Sequence, residues 1–399
     1  MGTSNMNGVP RPDASAGTIH QFYSSSAWIE GKAEEQLQHV SQLDGVTKVT
    51  AFPDLHPGKY GPVGCAILSE RIYPQLIGND IGCGMSLFIL DVPARKLKAE
   101  KAARRLRVLE GEWRGNPYEL LEEAQLSTDI YPYSLGTIGG GNHFCELQTI
   151  AEINDSELAI ETGFAKDTAC LLVHSGSRGF GMHVFSSVLD DLAKGMNPQS
   201  EQAEKYLSAH NRAVRWASLN RHLIARRAAE ALRADFKLIT DAPHNLIEKH
   251  RGSFLHRKGA AKADIPFVPL AGSRDSMSYL LKPESGARDA LLSLAHGAGR
   301  KYDRSSMHGR IQDKKSDHRR LQRTSFGGHV VCEDKQLLIE EAPEAYKSAG
   351  HVLKDLEAFK LARSVATFQP LVTFKKAAGK KAAGKKAVEK VVRKRGEKR

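Results

Sequence analysis

Residues 79–88, NDIGCGMSLF, place an aspartate and a cysteine in a glycine-rich turn. Asp80 precedes Cys83 by three positions, and Gly82 and Gly84 flank the cysteine. Because glycines allow a tight turn and remove side chains that would cover the sulfur, we expect an accessible thiol. The stretch alone is compatible with a small core cysteine and with a metal ligand or nucleophile, so the rest of the chain must distinguish them.

The composition is that of a globular protein in a reducing compartment. The chain has 399 residues, 41% of them hydrophobic, enough for one large domain or two ordinary ones. Its five cysteines include no C-x-x-C pair, which argues against a disulfide framework and a zinc finger. The first residues lack a basic and then apolar signal, and no stretch approaches the ~20 apolar residues of a membrane span. We therefore expect a cytoplasmic location.

The net charge of +12 is concentrated at the C-terminal end. Residues 375–399 carry 12 Lys/Arg and 2 Asp/Glu, so residues 1–374 carry only +2. Residues 376–399 repeat AAGKK and have too little apolar content for a core, which predicts a disordered, Lys/Arg-rich tail. Such a tail is either an ordinary solvated segment or a sequence-independent tether to phosphate backbones.

The clearest secondary-structure signal is an amphipathic helix over residues 201–233, where apolar residues recur at helical spacing. Its arginines form either an ordinary solvated face or a surface for RNA; they are Arg212, Arg215, Arg221, Arg226 and Arg227. We expect further helices over residues 96–110 and around 344–361, with short apolar runs between glycine-rich turns elsewhere.

No internal repeat and no linker divides the chain before the tail. We therefore predict one large α+β domain over residues 19–375, preceded by a disordered N-terminus of residues 1–18.

Four histidines share glycine-rich surroundings. His174 and His296 each end an apolar run and precede a Gly-rich loop, in ACLLVHSGSRGFG and LLSLAHGAGR. His143 follows three glycines in GTIGGGNHFCEL, and His244 follows a proline in DAPHNLIE. A lone histidine of this kind is more often a hydrogen-bonded core residue than a ligand. Four of them, together with Asp80 and Cys83, favour a shared site.

A thiolate, a carboxylate and neutral imidazoles suit a borderline divalent ion such as Mn, Fe, Co or Zn, because Mg and Ca prefer oxygen ligands. The thiolate could bridge two ions. Glycine loops near Ser175, Arg178 and Arg300 offer N–H groups and cations to phosphate oxygens, which indicates phosphoryl chemistry. The chain has no G-x-x-x-x-G-K-[ST] loop, no dinucleotide-binding glycine motif after a clear strand and no lysine-adenylation K-x-D-G motif.

Eight ordered motifs spanning roughly residues 50–375 resemble those of the RtcB RNA-splicing ligases. In this chain they are FPDLHPG, NDIGCGM, GTIGGGNHFCEL, VHSGSRGFG, the HN at 244–245, HRKGA, SLAHGAGR and AYK…PLVTFK. The short spacing between the motifs and the stretch IGNDIGCGM resemble those of the compact bacterial branch of the family, which is coupled to peptide release factor H. The resemblance implies a single large domain with a buried two-metal cleft.

The family's activity, if carried over, is GTP- and Mn²⁺-dependent joining of an RNA 3′-phosphate or 2′,3′-cyclic phosphate to a 5′-hydroxyl. By position, the resemblance implies that His296 attacks GTP and carries GMP. The resemblance also implies that five side chains hold two Mn²⁺ ions, with Cys83 bridging the ions. The five are Asp80, Cys83, His143, His174 and His244. The nucleotide contacts that it implies are Asn142, Glu146, Ser273, Gly297, Ala298, Gly299, Arg300, Tyr346 and Lys375.

The sequence departs from the family pattern at Arg274 and Asp275, which follow Ser273 where S-M-G-T is common. We expect this charge pair to lie beside the nucleotide pocket. The candidate partners are cut tRNA or damaged rRNA, and release factor H or the ribosome. Two other activities remain open: a metal-dependent cyclic-phosphate hydrolase or phosphodiesterase, and a non-catalytic binder of RNA ends or the ribosome.

Overall fold

The computed structural model describes residues 16–188, 194–311 and 315–376. In those ranges the α-helices are α1 (Gly31–Ser41), α2 (Ala99–Leu106), α3 (Pro117–Glu123), α4 (Ser156–Thr162), α5 (Arg178–Ser186), α6 (Glu201–Leu232), α7 (Arg304–Arg310), α8 (Lys315–Leu321), α9 (Lys335–Glu340) and α10 (Ala349–Ala358). The strands are β1 (Thr18–Gln21), β2 (Val46–His56), β3 (Val63–Ser69), β4 (Gly84–Pro93), β5 (Phe144–Ile153), β6 (Thr168–Ser175), β7 (Phe236–Pro243), β8 (Asn245–His250), β9 (Ser253–Lys258), β10 (Ala260–Lys262), β11 (Val268–Leu270), β12 (Ser278–Pro283), β13 (Ser293–Ala295), β14 (His329–Val331) and β15 (Ala362–Phe374).

The largest sheet has eight strands and supplies most of the site. Its order is β11-β12-β15-β5-β6-β4-β7, and β14 pairs with β15 in parallel. The middle strands β5, β6, β4 and β7 are antiparallel to their neighbours. The start of β4, the end of β6, the start of β5 and the end of β7 therefore meet at one edge, since antiparallel neighbours reverse direction.

Two further sheets lie beside the large one. Five strands pair in the order β1-β2-β3-β9-β8, and β10 pairs with β13. Buried residues Phe52 of β2, Leu255 of β9 and Leu294 of β13 belong to one apolar cluster, which joins the second sheet to the small one. This packing places the end of β13 next to β2.

Helix α6 confirms the helix predicted over residues 201–233. Ser200 caps its N-terminus by accepting from the N–H of Ala203, and Arg233 ends it in the left-handed conformation. Its apolar face, including Ile224 and Ala228, packs on Phe88 and Leu171 of the large sheet. The helix thus covers the sheet behind the edge where the strand ends meet.

The two shorter predicted helices are also present, as α2 within residues 96–110 and α10 within residues 344–361. Strand β1 begins at Thr18, inside the segment predicted to be disordered, and residues 1–15 lie outside the described residues. The predicted tail also lies outside them, apart from Lys376. The prediction of a single large α+β domain is confirmed. No helix in the described ranges is long and apolar enough to cross a bilayer.

Candidate active site

Cys83, His143, His174 and His244 meet at the edge where four strands of the large sheet begin or end. Cys83 directly precedes β4, His143 precedes β5, His174 is the penultimate residue of β6, and His244 follows β7. The sheet register fixes this arrangement, and the N–H of His244 donates to the carbonyl of Cys83 at 2.8 Å. Four side chains that are distant in sequence are therefore held by one rigid frame.

The potential ligand atoms form two overlapping groups. Cys83 Sγ lies 3.3 Å from His143 Nε2 and 3.2 Å from His174 Nε2. His143 Nε2 is 2.9 Å from Asp80 Oδ2, and His174 Nε2 is 3.3 Å from His244 Nε2. The ligand atoms of Asp80, Cys83 and His143 lie within 4.8 Å of one another, as do those of Cys83, His174 and His244. Cys83 belongs to both groups.

The protonation chemistry of this cluster fits a pair of divalent ions. Burial lowers the pKa of His174 and of His244 well below the ordinary value, so both rings are neutral and have lone pairs to donate. Burial would raise the pKa of Asp80, but the His143 ring lowers it on balance, so that side chain is a carboxylate. Burial raises the pKa of the Cys83 thiol well above its ordinary value, and a bound cation is the group that would make it a thiolate.

His296 lies at the end of β13, beside the cluster. Its Nδ1 donates to Asp54 Oδ2 at 2.7 Å, and its backbone N–H donates to the same oxygen at 3.2 Å. Since a carboxylate only accepts, this bond places the ring proton on Nδ1 and leaves the Nε2 lone pair free. The ring centroids of His296 and His244 are 4.5 Å apart, so that the potential nucleophile lies next to a potential metal ligand.

Glu341 organises one wall of the same cavity. Its Oε1 accepts from Arg300 Nη1 and Arg304 Nε, each at 3.1 Å. Its Oε2 lies 3.6 Å from Lys375 Nζ and accepts from the Tyr346 hydroxyl. Burial alone would raise the pKa of Glu341, but Lys375 and the two arginines lower it, so this buried side chain is a carboxylate.

Glu146 and Lys375 line the cavity between this wall and the metal-ligand cluster. Glu146 accepts from Gln148 Nε2 at 2.8 Å, and burial raises its pKa to about 7. Lys375 Nζ donates to the carbonyl of His143 at 3.2 Å, and burial lowers its pKa. The chain thus places a carboxyl group and an ammonium group, both buried, in the wall of one cavity.

The cavity has a volume of about 550 Å³. The predicted residues in its wall are Asp80, Cys83, Asn142, Glu146, His174, His244, Ser273, His296, Gly297, Ala298, Gly299, Arg300, Tyr346 and Lys375. His143 is the exception; it is buried and contacts Asp80 and Cys83, which both line the cavity. In the 297–299 loop, a Cβ on Gly299 would collide with the carbonyl of Asp54, and its φ of +72° also favours glycine.

Comparison with known proteins assigns the chain to a family. A sequence model described as tRNA-splicing ligase RtcB matches residues 36–119 and 110–376. The RNA-splicing ligase RtcB2 of Escherichia coli is 40% identical over 376 residues, which cover 91% of this chain and 97% of that protein. The chain belongs to the RtcB family. The RNA-splicing ligase RtcB of Mycobacterium tuberculosis is 26% identical over 84% of this chain and 99% of that protein. The tRNA-splicing ligase RtcB of Pyrococcus horikoshii is 29% identical over 59% of this chain and 32% of that protein.

In this RtcB-family chain, the expectation of an exposed Cys83 thiol was wrong, because the residue is only 2% exposed. The glycines beside it serve close packing instead. A Cβ on Gly82 would lie 2.8 Å from Val214 Cα in α6, and one on Gly84 would lie 2.8 Å from Pro243 Cα. The turn is thus packed against a helix and a strand end, and the sulfur faces the cavity.

The arginines of α6 are not one surface. Arg221 is fully buried, pairs with Asp241 and donates from Nη1 to the carbonyl of Gly82 at 2.7 Å. Arg227 is also buried and donates to the carbonyls of Val108 and Gly111. The interpretation of all five arginines as a solvated or RNA-facing surface is wrong for these two, which hold loops in place.

Arg274 and Asp275 do not form the expected charge pair. Buried Arg274 donates to the carbonyls of Glu341 and Leu338, each at 3.0 Å, whereas Asp275 accepts from the N–H and hydroxyl of Ser325. Arg274 lines the cavity, as expected, and holds the backbone of the Glu341 wall.

The sequence reasoning missed Asp54, Glu341 and Lys258 as site residues. Lys258 lines the cavity, donates to the carbonyl of Ile77 at 2.7 Å, and has a pKa lowered by burial. Asp54 and Lys258 occur inside the quoted motifs FPDLHPG and HRKGA, so the signal for those two was present. Glu341 lies outside every quoted motif, in the ordinary-looking stretch IEEAP.

Proposed function

We propose that this protein is a GTP- and Mn²⁺-dependent RNA ligase that joins a 3′-phosphate or 2′,3′-cyclic phosphate end to a 5′-hydroxyl end. The observation that supports the proposal is His296, whose Nδ1–H donates to Asp54, so that the lone pair is on Nε2, and which lines the same cavity as the metal-ligand cluster. A metal-dependent hydrolase attacks with a metal-bound water and does not need a side-chain nucleophile held in this way as well.

In the first step His296 Nε2 attacks the α-phosphorus of GTP. A P–N bond forms, the bond to the pyrophosphate oxygen breaks, and pyrophosphate leaves with the electron pair. The ring becomes positively charged as the P–N bond forms, so the buried Asp54 carboxylate stabilises the transition state as well as the correct tautomer.

Asp80, Cys83, His143, His174 and His244 are the residues that would hold two Mn²⁺ ions. Bound there, the ions would neutralise phosphate charge and lower the pKa of a coordinated water or hydroxyl, which would also allow a cyclic phosphate to be opened. The protein's own part is to keep the imidazoles neutral by burial and to fix the ligands at a rigid sheet edge.

The Glu341 wall and Glu146 would bind the nucleotide. Arg300 lies over the Tyr346 ring at 5.1 Å, a geometry in which the ring is fixed and available to stack on a base. An ionised Glu146 can accept hydrogen bonds from the N–H groups of guanine, and Lys375 can donate a hydrogen bond to an acceptor atom of the base. Because Glu341 holds Arg300, Tyr346 and Lys375 together, it acts as a positioning residue for the pocket.

Two transfers complete the reaction. The RNA 3′-phosphate attacks the phosphorus of the His296-bound GMP, the P–N bond breaks, and RNA(3′)pp(5′)G forms. The 5′-hydroxyl of the second strand then attacks the 3′-phosphorus, a phosphodiester forms, and GMP leaves. Activation is needed because an unmodified 3′-phosphate lacks a good leaving group.

The test measures metal content and intact mass after incubation with GTP and Mn²⁺ but no RNA. The wild type should gain the mass of GMP. His296→Ala should keep its metal and gain nothing, whereas His174→Ala should lose metal and adduct together. An adduct on His296→Ala would refute the assignment of the nucleophile.

A further inference from the structure

A pair of aromatic side chains at the rim of the cavity has no role in the reaction described above. Trp28 lies between β1 and α1 and is 41% exposed. Its ring is 6.4 Å from that of Tyr302, at an interplanar angle of 66°. Tyr302 lines the active-site cavity, as does Glu30, two residues after Trp28. We call Trp28 and Tyr302 the rim pair.

Three cations face the two rings. Lys347 Nζ is 5.8 Å from the Trp28 ring centroid, and Lys301 Nζ is 5.4 Å from that of Tyr302. The guanidinium carbon of Arg310, at the end of α7, is 3.7 Å from the Tyr302 centroid. Aromatic faces next to cations are the combination that binds single-stranded nucleic acid, since bases stack while phosphates pair with the cations.

The rest of the rim is compatible with a polyanion. The exposed or half-exposed residues of the cavity wall include four positively charged ones, Lys32, Lys59, Lys301 and Arg304, and two negatively charged ones, Glu30 and Asp303. An apolar protein partner would have to desolvate these lysines, whereas an RNA strand pairs with them. The exposed part of Trp28 is therefore better matched to a nucleobase than to an apolar surface.

We propose that the rim pair stacks a nucleobase of the RNA strand whose 3′-phosphate enters the cavity. This rests on the ligase function proposed above, in which that phosphate must reach His296, and Tyr302 follows His296 by six residues in the same cavity wall. A base held at the rim orients the strand, and its stacking needs no particular sequence because every base has a π-face. The ligase would thus select single-stranded ends over ends held in a duplex.

The test uses a single-stranded RNA decamer with a 3′-phosphate and a 5′-fluorescein, which blocks the 5′ end. Binding to the full chain is measured by fluorescence anisotropy with Mn²⁺ and without GTP. Trp28→Ala should weaken binding about 5- to 150-fold, the range for loss of one stacked base. Trp28→Phe should recover most of the affinity. The matched control is Tyr133→Ala, because Tyr133 is 71% exposed and lies outside the cavity wall.

A second measurement identifies the stacked base. Abasic nucleotides are placed one at a time at the four positions nearest the 3′-phosphate. One position should weaken binding to the wild type and have no further effect in Trp28→Ala, since the stacking is already lost there. Equal effects of every abasic site in both proteins would overturn the proposal, as would an equal loss of affinity in Tyr133→Ala.

The two proposals fail in different ways. A raised KM for GTP in Trp28→Ala would assign the ring to the nucleotide and overturn the rim proposal. The absence of a GMP adduct in the wild type would refute the ligase, whereas base-dependent binding through Trp28 would still support the rim site.

Discussion

Replacing Asp54 by Asn removes one negative charge while keeping the shape of the site. Asp54 is fully buried, and its Oδ2 accepts from both the ring Nδ1–H and the backbone N–H of His296. Because both partners are donors, we expect the Asn amide oxygen to take the Oδ2 position and to preserve the tautomer. What is lost is the charge facing a ring that becomes positive as the P–N bond forms.

A hydrogen bond to a charged group contributes about 1.5–3 kcal/mol, against roughly 1 kcal/mol for a neutral pair. Because the Asn amide keeps a neutral hydrogen bond, about 0.5–2 kcal/mol of stabilisation is lost in the transition state, and Asp54→Asn should slow formation of the GMP adduct about 2- to 30-fold. The rate is measured by intact mass in single turnover, at saturating GTP and Mn²⁺ and without RNA. The Kd for GTP should stay within threefold of the wild type.

The matched control is Asp167→Asn, since Asp167 is partly exposed and pairs with Arg95 on the surface. That variant should form the adduct at the wild-type rate. A rate for Asp54→Asn within twofold of the wild type would refute the idea that Asp54 stabilises the charged ring. A large loss accompanied by a lower melting temperature would indicate instead that Asp54 mainly holds the fold.

Three further changes test other parts of the site. Cys83→Ala should leave the fold intact but lose bound metal and adduct formation, because one side chain belongs to both ligand groups; full metal content with normal adduct would contradict this. Glu341→Gln should lower the free energy of unfolding in urea by about 3–5 kcal/mol and raise the KM for GTP, because it removes the counter-charge of three buried or partly buried cations. The control is Glu340→Gln, whose carboxylate pairs with the partly exposed His308, and it should change neither quantity much. Burial raises the pKa of Glu146 to about 7, and only its ionised form accepts guanine N–H groups with both carboxylate oxygens. The Kd for GTP should therefore rise as the pH falls below 7, and a curve as flat as that of Glu146→Gln would exclude this role.

The sequence was informative wherever a local pattern carried the information. Helical periodicity predicted α6, and the apolar runs that precede His174 and His296 form strands β6 and β13 in the structure. Both patterns involve residues that are close together in the sequence. The residues predicted from the motifs, His143 excepted, lie together in the wall of one cavity.

The errors and omissions concern contacts between distant segments. Asp54 meets His296 across 242 positions of the chain, and no periodicity links the two. Arg221 has the same spacing as a solvated helical arginine, but β7 presents Asp241 to it, which makes burial possible. The glycines beside Cys83 predicted an accessible thiol. In the structure, the lack of a side chain at these positions allows close contact with α6 and with the end of β7. Burial of charge and of sulfur is decided by tertiary packing, which a single sequence does not display.

The most direct measurement of RNA ligation follows one labelled phosphate through the reaction. A 3′-³²P-phosphate RNA and a 5′-hydroxyl RNA are incubated with the protein, GTP and Mn²⁺, and the products are separated on a denaturing gel. The ligase account predicts that the label passes through a GMP-capped 3′ end into the joined product, where it becomes resistant to phosphatase, and that His296→Ala abolishes both species. Release of the label as inorganic phosphate, or opening of cyclic ends without joining, would contradict the account and indicate a hydrolase.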